Sequence, residues 1–374
     1  MESSNKRWLD AIIIVLMVLL VYALCQPIGR KWNKYVEEAY TGDEGVFAHD
    51  VDTYYYLRRA KEFTQNGFSS IRIMYSRTED PLITAVRTGT NDSLPNLLSA
   101  MAATLWYILH FLGSKVGIYS LSIRFCAGIL ALCTIPVYLF VRKRMSRLSG
   151  IVAGLFITLA PPFFKHSFAG FFDTDALICL FALIMILSSY ECVLRRNVRE
   201  KCLYGAAALL GVVLLAFTWK VFFVYVVIAV GTAVFAMIVV RMWAKKDNKL
   251  CCRVSLLIFA LMILLTLFLG WEDIGSSIVS LFQREPVGEP WPSTSKYVAE
   301  MDKLYFLKAT YFWDIFMATN VDYISYLGGV FSFVFLLGTI VVSVILLFRN
   351  RNVERGIEAC DNLFLFAAAA LGVP

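Results

Sequence analysis

Charged residues are scarce in this chain. Only 17% of its 374 residues are Asp, Glu, Lys or Arg, whereas 59% are hydrophobic. This composition excludes an ordinary soluble globule and predicts a protein that crosses a membrane several times. The net charge of +7 lies mainly in short basic segments between apolar runs, which indicates membrane topology rather than nucleic-acid binding.

Paired cysteines and clustered histidines are also missing. The nine cysteines include no C-x-x-C pair and most lie within apolar runs, so no disulfide framework is predicted. The three histidines, His49, His110 and His166, are too widely spaced for a zinc signature. No soluble domain is visible, and the chain stops within an apolar run. We therefore expect it to be part of a longer protein.

Apolar runs are abundant, and they predict an all-α fold. We expect a polytopic transmembrane helical bundle of roughly eight visible helices, in a single domain over residues 1–374. The runs lie at about 11–24, 97–113, 123–141, 151–164, 176–193, 203–218, 221–240, 255–270, 324–348 and from 363 to the end.

Basic clusters predict the orientation of the bundle. By the positive-inside rule, all of them are expected on the cytoplasmic side. The number of crossings between the first two clusters must then be even, although three apolar runs lie between them. We assign the run 97–113 to the membrane surface, where it does not cross. The clusters lie at residues 6–7, 142–147, 195–201, 241–249 and 349–355.

Because the number of crossings between successive basic clusters is even, two sizeable loops are expected on the external side, at about 26–122 and 271–323. It also places a short loop there, which carries Asp173 and Asp175 between two apolar runs. Charges at the edge of a hydrocarbon layer are costly, so such a pair is a functional hypothesis by default. In a turn or extended segment, both carboxylates can reach one hard cation. The alternative is that they only cap a helix that begins near Asp175.

The two large loops contain further acidic candidates. Asp52 stands just beyond the first apolar run and could supply a third oxygen ligand to Mg²⁺ or Mn²⁺ bound with a substrate phosphate. It could equally be an ordinary helix start with a surface ion pair to Arg58. Glu300 in the second loop is either a solvated side chain or a group that orients an acceptor.

Three segments together resemble one known family. The stretch SFAGFFDTD at 167–175 resembles the S-x-A-G-x-x-D-x-[D/E] segment of the catalytic subunit of oligosaccharyltransferase, a membrane glycosyltransferase of the GT-C type. DTYYYLR at 52–58 is similar to that family's first-loop D-x-[W/Y]-[Y/F]-x-x-R, and YVAE at 297–300 to its external-loop tetrapeptide. The family also has a surface helix before its second span. Its C-terminal soluble domain, with a W-W-D signature, is absent from this sequence.

The resemblance implies an enzyme that moves a glycan from a polyprenyl (pyro)phosphate carrier to Asn in Asn-x-Ser/Thr of exported proteins. It implies that Asp52, Asp173 and Asp175 hold Mg²⁺ or Mn²⁺ against the leaving phosphate. Asp52 and Glu300 would be catalytic residues that orient the acceptor amide, with Glu300 binding the acceptor. The expected partners are a polyprenyl-linked oligosaccharide, an acceptor polypeptide and the lipid bilayer, and no nucleic acid.

Two other functions remain open from the sequence. One is a different GT-C glycosyltransferase that uses a lipid-phosphate sugar and another acceptor. The other is a transporter, although transporters place carboxylates near the bilayer midplane and often have repeated halves, whereas no repeat is visible here. In either enzyme reading, we expect a multi-pass protein of a prokaryotic cytoplasmic membrane with its active site on the external face.

Overall fold

The computed structural model describes residues 7–33, 51–66, 97–159, 164, 167–195, 197–219, 222–243 and 249–282. Within these ranges the chain is helical and contains no strand. The helices are α1 (Arg7–Asn33), α2 (Val51–Asn66), α3 (Leu97–Phe111), α4 (Ile118–Leu132), α5 (Thr134–Arg144), α6 (Arg147–Leu159), α7 (Asp175–Leu194), α8 (Val198–Ala216), α9 (Phe223–Trp243) and α10 (Lys249–Phe282).

The chain divides into two compact units, Met1–Asp273 and Ile274–Pro374. The first unit contains all the described helices except the last turns of α10. Of the second unit, the described part is residues 274–282, which belong to α10.

Four of the described helical segments are long and apolar enough to cross a membrane. They are Trp8–Gln26, Ile118–Arg144, Asp175–Leu194 and Cys252–Trp271. The predicted helical membrane fold is confirmed to this extent, whereas the complete bundle and its loops stay predictions. Helix α3 is apolar but has only 15 residues. That is shorter than the roughly 20 residues that a span needs. Helix α6, in the run 151–164 that was expected to cross, has only 13 residues, so the surface role of the run 97–113 stays a prediction.

The helix boundaries differ from the apolar runs in an instructive way. Helix α1 extends from Arg7 to Asn33, beyond the predicted apolar core at 11–24. Helix α10 passes through a non-helical Gly270 (φ −121°, ψ 17°) and continues to Phe282, although an external loop was expected from about 271. Hydropathy marks only the part of a helix that suits lipid, while backbone hydrogen bonding continues into polar sequence.

One candidate span consists of two helices. Helices α4 and α5 meet at Cys133, which keeps helical angles (φ −61°, ψ −22°). Pro136 lies three residues further on and has no N–H to donate to the carbonyl of Leu132. The proline therefore accounts for the interruption, and the apolar stretch Ile118–Arg144 still runs as one candidate span.

Helix α7 is central to the first unit and packs against α4, α5, α8 and α9. Its contact with α8 is close because Gly211 faces it. A Cβ atom at Gly211 would lie 2.7 Å from Met185 Cβ and 3.1 Å from Met185 Cα. Small residues allow such close approach between apolar helices, where packing supplies much of the association energy.

A buried carboxylate near the start of α1 pairs with the basic cluster at residues 142–147. Asp10 pairs with Arg142 at 2.6 Å and with Arg147 at 2.8 Å, and it accepts a hydrogen bond from the Tyr138 hydroxyl at 2.8 Å. Asp10 is only 6% exposed. The contacts join α1 to α5 and α6, so the basic residues that predicted topology also hold helices together.

Glu191, near the end of α7, does the same for a second set of cations. Its carboxylate pairs with Arg144 at 2.7 Å, Lys143 at 3.3 Å and Arg195 at 2.5 Å. Sequence reasoning did not single out Glu191 or Asp10. The available signal was an acidic residue next to each end of an apolar run, close in sequence to the basic clusters or to the chain start.

The two ends of α7 carry different chemistry. Asp175 is its first residue and Glu191 lies sixteen positions later, which at 1.5 Å per residue is about 24 Å along the axis. Asp173 and Asp175 therefore lie at one end of the helix, and the ion-paired basic clusters lie at the other. This separation agrees with the predicted sidedness, which itself stays a prediction.

Candidate active site

The loop that carries Asp173 turns sharply at Gly170. This glycine adopts φ 113°, a region that side-chain-bearing residues rarely occupy. Its N–H donates to the Ile123 carbonyl of α4 at 2.8 Å, and the Ala169 N–H donates to the Cys25 carbonyl of α1 at 3.2 Å. The Ala-Gly pair of the motif thus has a structural purpose, which is to dock the loop on two helices.

Helix α2 holds the next part of the loop. The hydroxyl of the fully buried Thr53 accepts a hydrogen bond from the Phe172 N–H at 3.1 Å. On the opposite flank, the Cys126 thiol of α4 donates to the Asp173 carbonyl at 3.2 Å. The Phe172 ring is buried and meets the edges of Tyr56 and Phe125 at centroid distances of 6.5 and 6.1 Å.

Asp173 is oriented by its own neighbour. Its Oδ1 accepts the Thr174 N–H at 2.6 Å and the Thr174 hydroxyl at 3.3 Å. Helix α7 then begins at Asp175, as the sequence predicted, and a carboxylate in a first turn is stabilised by the helix dipole. The helix-start interpretation of Asp175 is therefore compatible with the structure, and it does not exclude a further role.

Asp52 and Asp173 both lie near Tyr56. Asp52 is exposed in the first turn of α2, one turn before Tyr56. Burial raises the pKa of Tyr56 well above its usual value of 10, and the charge of Asp173 is the next largest cause. Tyr55 and Asp52 add to the increase in this pKa, while a hydrogen bond with the Thr174 side chain opposes it. The phenol thus remains protonated at any physiological pH.

The donor chemistry around this phenol suits a hard cation. Carboxylate oxygens are the ligands that Mg²⁺ and Mn²⁺ prefer. Over the described ranges, however, no three His, Cys, Asp or Glu side chains meet closely enough to form a metal-binding group. The structure thus brings Asp52 and Asp173 to one neighbourhood with Asp175 at the adjoining helix start. It does not assemble the three-carboxylate cluster expected from the sequence.

The remaining predicted residue, Glu300, lies outside the described residues. Conversely, Thr53, Tyr56 and Thr174 are structural partners of the site that sequence reasoning did not identify. The available signal was the spacing of Asp52 and Tyr56, four residues apart on one helix face.

The comparison with protein families decides the relationship. The model described as "Oligosaccharyl transferase STT3, N-terminal" matches residues 12–355, which is most of the chain. This chain belongs to the oligosaccharyl transferase STT3 family. The resemblance drawn from three short motifs is therefore confirmed over nearly the whole length.

Curated relatives of this STT3-family chain are distant. It is 24% identical over 230 residues to a dolichyl-phosphooligosaccharide-protein glycotransferase of Methanococcus voltae, covering 58% of this chain and 25% of that protein. A protein of the same name from Methanocaldococcus jannaschii is 25% identical over 201 residues, covering 50% of this chain and 21% of that protein. The matched region thus spans about a quarter of the length of these relatives.

Solved structures show that the fold is shared with an archaeal oligosaccharyltransferase, AglB from Archaeoglobus fulgidus. Its complex with an inhibitory peptide and a dolichol-phosphate gives a TM-score of 0.57 at 15% identity, covering 99% of this chain and 50% of that chain. The Archaeoglobus fulgidus oligosaccharyltransferase tethered to an acceptor peptide containing the NVT sequon gives a TM-score of 0.58 at 16% identity. This match covers 99% of this chain and 49% of that chain. The Archaeoglobus fulgidus oligosaccharyltransferase in complex with Zn and sulfate gives a TM-score of 0.54 at 16% identity. This match covers 96% of this chain and 47% of that chain.

Proposed function

We propose that this STT3-family chain is the membrane part of an oligosaccharyltransferase, which moves a glycan from a polyprenyl (pyro)phosphate carrier to Asn in Asn-x-Ser/Thr. The observation that carries the proposal is the hydrogen-bonded junction of the Asp173 loop with the helix that bears Asp52. This junction brings Asp52 and Asp173, which are distant in the sequence, into one neighbourhood, and that proximity supports the proposal.

The names of the relatives indicate the partners. Two archaeal relatives are named for a dolichyl-phosphooligosaccharide donor and a protein acceptor. A protein of the same fold has been captured with a dolichol-phosphate and, separately, with a peptide containing the NVT sequon. We infer a polyprenyl-linked oligosaccharide, an acceptor polypeptide and a lipid bilayer as the partners of this chain.

We also propose that Asp52, Asp173 and Asp175 bind Mg²⁺ or Mn²⁺ together with the donor phosphate. Mg²⁺ usually takes only one or two protein carboxylates when a substrate phosphate completes its shell, so a preformed three-residue cage is not required. A structural neighbour holds Zn and sulfate, which supports a metal in this fold. When bound, the ion supplies Lewis-acid stabilisation of the charge that develops on the leaving phosphate.

The protein groups have separate tasks in this proposal. The amide nitrogen of Asn is a poor nucleophile, and Asp52, exposed at the start of α2, would accept its N–H and orient it with Glu300. The start of α7 at Asp175 presents backbone N–H groups, which favour a phosphate. A lipid-tailed donor suits a site at the end of a membrane bundle, and we propose that this end faces the external side of a prokaryotic cytoplasmic membrane.

Transfer by the complete protein to fluorescent peptides tests this function. With lipid-linked donor present, an Asn-x-Thr peptide should be glycosylated and an Asn-x-Ala peptide should not. Asp52→Asn, Asp173→Asn, Asp175→Asn and Glu300→Gln should each lower the rate by about 100-fold or more, as is usual for acid–base and metal-binding groups. The control is Glu200→Gln, which lies in the first turn of α8 beside the end of α7 that is far from Asp175, and it should leave the rate unchanged.

The alternatives give different results in the same assay. Transfer to a lipid or hydroxyl acceptor, with both peptides unmodified, would contradict protein glycosylation and indicate another GT-C glycosyltransferase. Substrate flux into liposomes without transfer would indicate a transporter. A normal transfer rate in any one carboxylate variant would remove that residue from the proposed site.

A further inference from the structure

Thr53 differs from the other threonines in the described helices. Each of those donates its hydroxyl to a backbone carbonyl three or four residues earlier in the chain, a common arrangement in helices. Thr53, the third residue of α2, accepts a hydrogen bond at 3.1 Å from the N–H of Phe172, 119 residues away. The hydroxyl of Thr53 therefore serves a contact between two segments. The other threonines are Thr64, Thr104, Thr134, Thr158, Thr232 and Thr266.

This hydrogen bond lies between the two acidic candidates that are distant in the sequence. Asp52 directly precedes Thr53, and Asp173 directly follows Phe172. Consecutive Cα atoms are about 3.8 Å apart, so each carboxylate-bearing residue is one such step from the bond. The bond between the Thr53 hydroxyl and the Phe172 N–H thus links the two pieces of backbone that carry Asp52 and Asp173.

The contact is rigid as well as close. Thr53 and Phe172 are both fully buried. A β-branched side chain has few χ1 rotamers, so the direction of the Thr53 hydroxyl is restricted, and a buried N–H that loses its acceptor is costly. These features favour one fixed distance between the start of α2 and the loop.

A second helix holds the same part of the loop from the other side. The buried Cys126 thiol of α4 donates to the Asp173 carbonyl at 3.2 Å. The dipeptide Phe172-Asp173 is therefore held at its N–H by α2 and at its carbonyl by α4. We call Thr53 and Cys126 the Asp173 clamp. A thiol is a weak donor, so Thr53 is expected to be the stronger half of the clamp.

We propose that Thr53 is a positioning residue that sets the distance between the carboxylates of Asp52 and Asp173. This role rests on the function proposed above, in which both groups serve one ion. Two oxygens bound to one Mg²⁺ lie at most about 4 Å apart, which is twice the metal–oxygen distance. Carboxylates from two segments meet that limit only when the segments keep a fixed separation. Thr53 itself needs no contact with the substrate.

Hydrogen exchange in the complete protein, in detergent and without metal, tests the clamp itself. Thr53→Val keeps the size of the side chain but removes the acceptor, so amides in residues 167–173 should exchange roughly fivefold faster, as expected for one lost hydrogen bond. Thr53→Ala removes the same acceptor and should give the same result, whereas Thr53→Ser keeps the hydroxyl and should exchange like the wild type.

Thr266→Val is the matched control for these variants. Thr266 is also buried, with 6% exposure, but its hydroxyl donates at 2.7 Å to the Met262 carbonyl of its own helix. Exchange in residues 167–173 should therefore stay at the wild-type rate. Equal exchange in Thr53→Val, Thr53→Ala and Thr266→Val would overturn the clamp.

Mn²⁺ titration followed by electron paramagnetic resonance tests what the clamp is for. Thr53→Val should weaken Mn²⁺ binding about tenfold or more, the usual effect of losing a group that orients a metal ligand. Thr53→Ser should restore the wild-type affinity, and Thr266→Val should not change it. Faster loop exchange in Thr53→Val with unchanged Mn²⁺ affinity would show that the clamp supports the loop without positioning the carboxylates.

Peptide transfer separates a failure of this inference from a failure of the proposed function. Thr53→Val should lower kcat about tenfold or more and leave the KM for the Asn-x-Thr peptide unchanged, because misplaced groups weaken the transition state rather than peptide binding. Wild-type protein that transfers glycan but binds no Mn²⁺ would remove the metal from the proposed function, and kcat would then decide the role of Thr53. A wild-type kcat in Thr53→Val overturns that role. Wild-type protein without transfer overturns the proposed function.

Discussion

At the residue scale, the buried acids explain how a chain with few charges tolerates several at its helix ends. Glu191 is 5% exposed and meets three cations, while Glu200 is half-exposed and pairs with Arg195 at 3.2 Å. Exposed pairs contribute about 0–1 kcal/mol, whereas removal of one partner from a buried pair costs about 3–5 kcal/mol. The two glutamates should therefore differ greatly in importance.

We expect Glu191→Gln to lower the free energy of unfolding by about 3–5 kcal/mol, because it removes the buried negative charge that pairs with Arg144 and Lys143. Glu200→Gln should cost less than about 1 kcal/mol. Thermal unfolding in detergent micelles, followed by tryptophan fluorescence, measures both. Equal shifts in the two variants would show that the Glu191 cluster does not stabilise the bundle.

The loop glycine gives a second prediction at this scale. Gly170→Ala forces a side chain into φ 113° and should cost about 1–3 kcal/mol. Gly128→Ala in α4 meets nothing within 4 Å and should stabilise the helix by about 0.5–1 kcal/mol. In micelles, Gly170→Ala should lower the melting temperature and Gly128→Ala should raise it. A change in the same direction for both variants would contradict the backbone strain inferred at Gly170.

At the element scale, α7 connects the candidate site with the internal ion pairs. Helix α7 begins at Asp175 and carries Glu191 in its last turn. It packs against α8 at Gly211. Any change that moves α7 away from α8 should therefore reach both ends. Apolar helices depend on such close contacts because lipid competes with protein for the same surface.

Gly211→Leu should push α8 away from the Met185 backbone and destabilise the protein by about 1–3 kcal/mol, the usual range for overpacking. Gly231→Leu on α9 is the control, because Gly231 is exposed and a Cβ there meets nothing within 4 Å. Thermal unfolding in micelles measures the stability of the protein, and the rate of glycan transfer reports whether Asp175 stays in position. A tolerated Gly211→Leu would show that the helices can separate without consequence.

At the scale of the whole molecule, the loop that carries Asp173 lies at one end of α7, and the ion-paired basic clusters at 142–147 and 195–201 lie at the other end. The sequence predicts that the first end is external and the second is cytoplasmic. Cys202 is exposed in α8 beside the buried Lys201, at the basic end. Tyr54 is exposed in α2 beside Thr53, at the carboxylate end.

A membrane-impermeant maleimide should label Cys202 in inverted vesicles and not in right-side-out vesicles. In a Cys202→Ser background, Tyr54→Cys should show the reverse pattern, and the Cys202→Ser protein alone provides the background signal. Labelling of both positions from one side would end the proposed sidedness. It would also end the external active site, because both assignments rest on the same parity.

The sequence by itself determined the membrane class, the apolar helices, the start of α7 at Asp175 and the family. These properties depend on local composition and short motifs, because transfer between water and lipid acts on each segment separately. The roles of Asp52, Asp173, Asp175 and Glu300 stay predictions. Only the tertiary structure decided that Thr53 meets Phe172, 119 residues away, and that Tyr138 meets Asp10, 128 residues away. Hydroxyls and buried acids take whichever partner the packed helices bring within about 3 Å, and no local pattern specifies that partner.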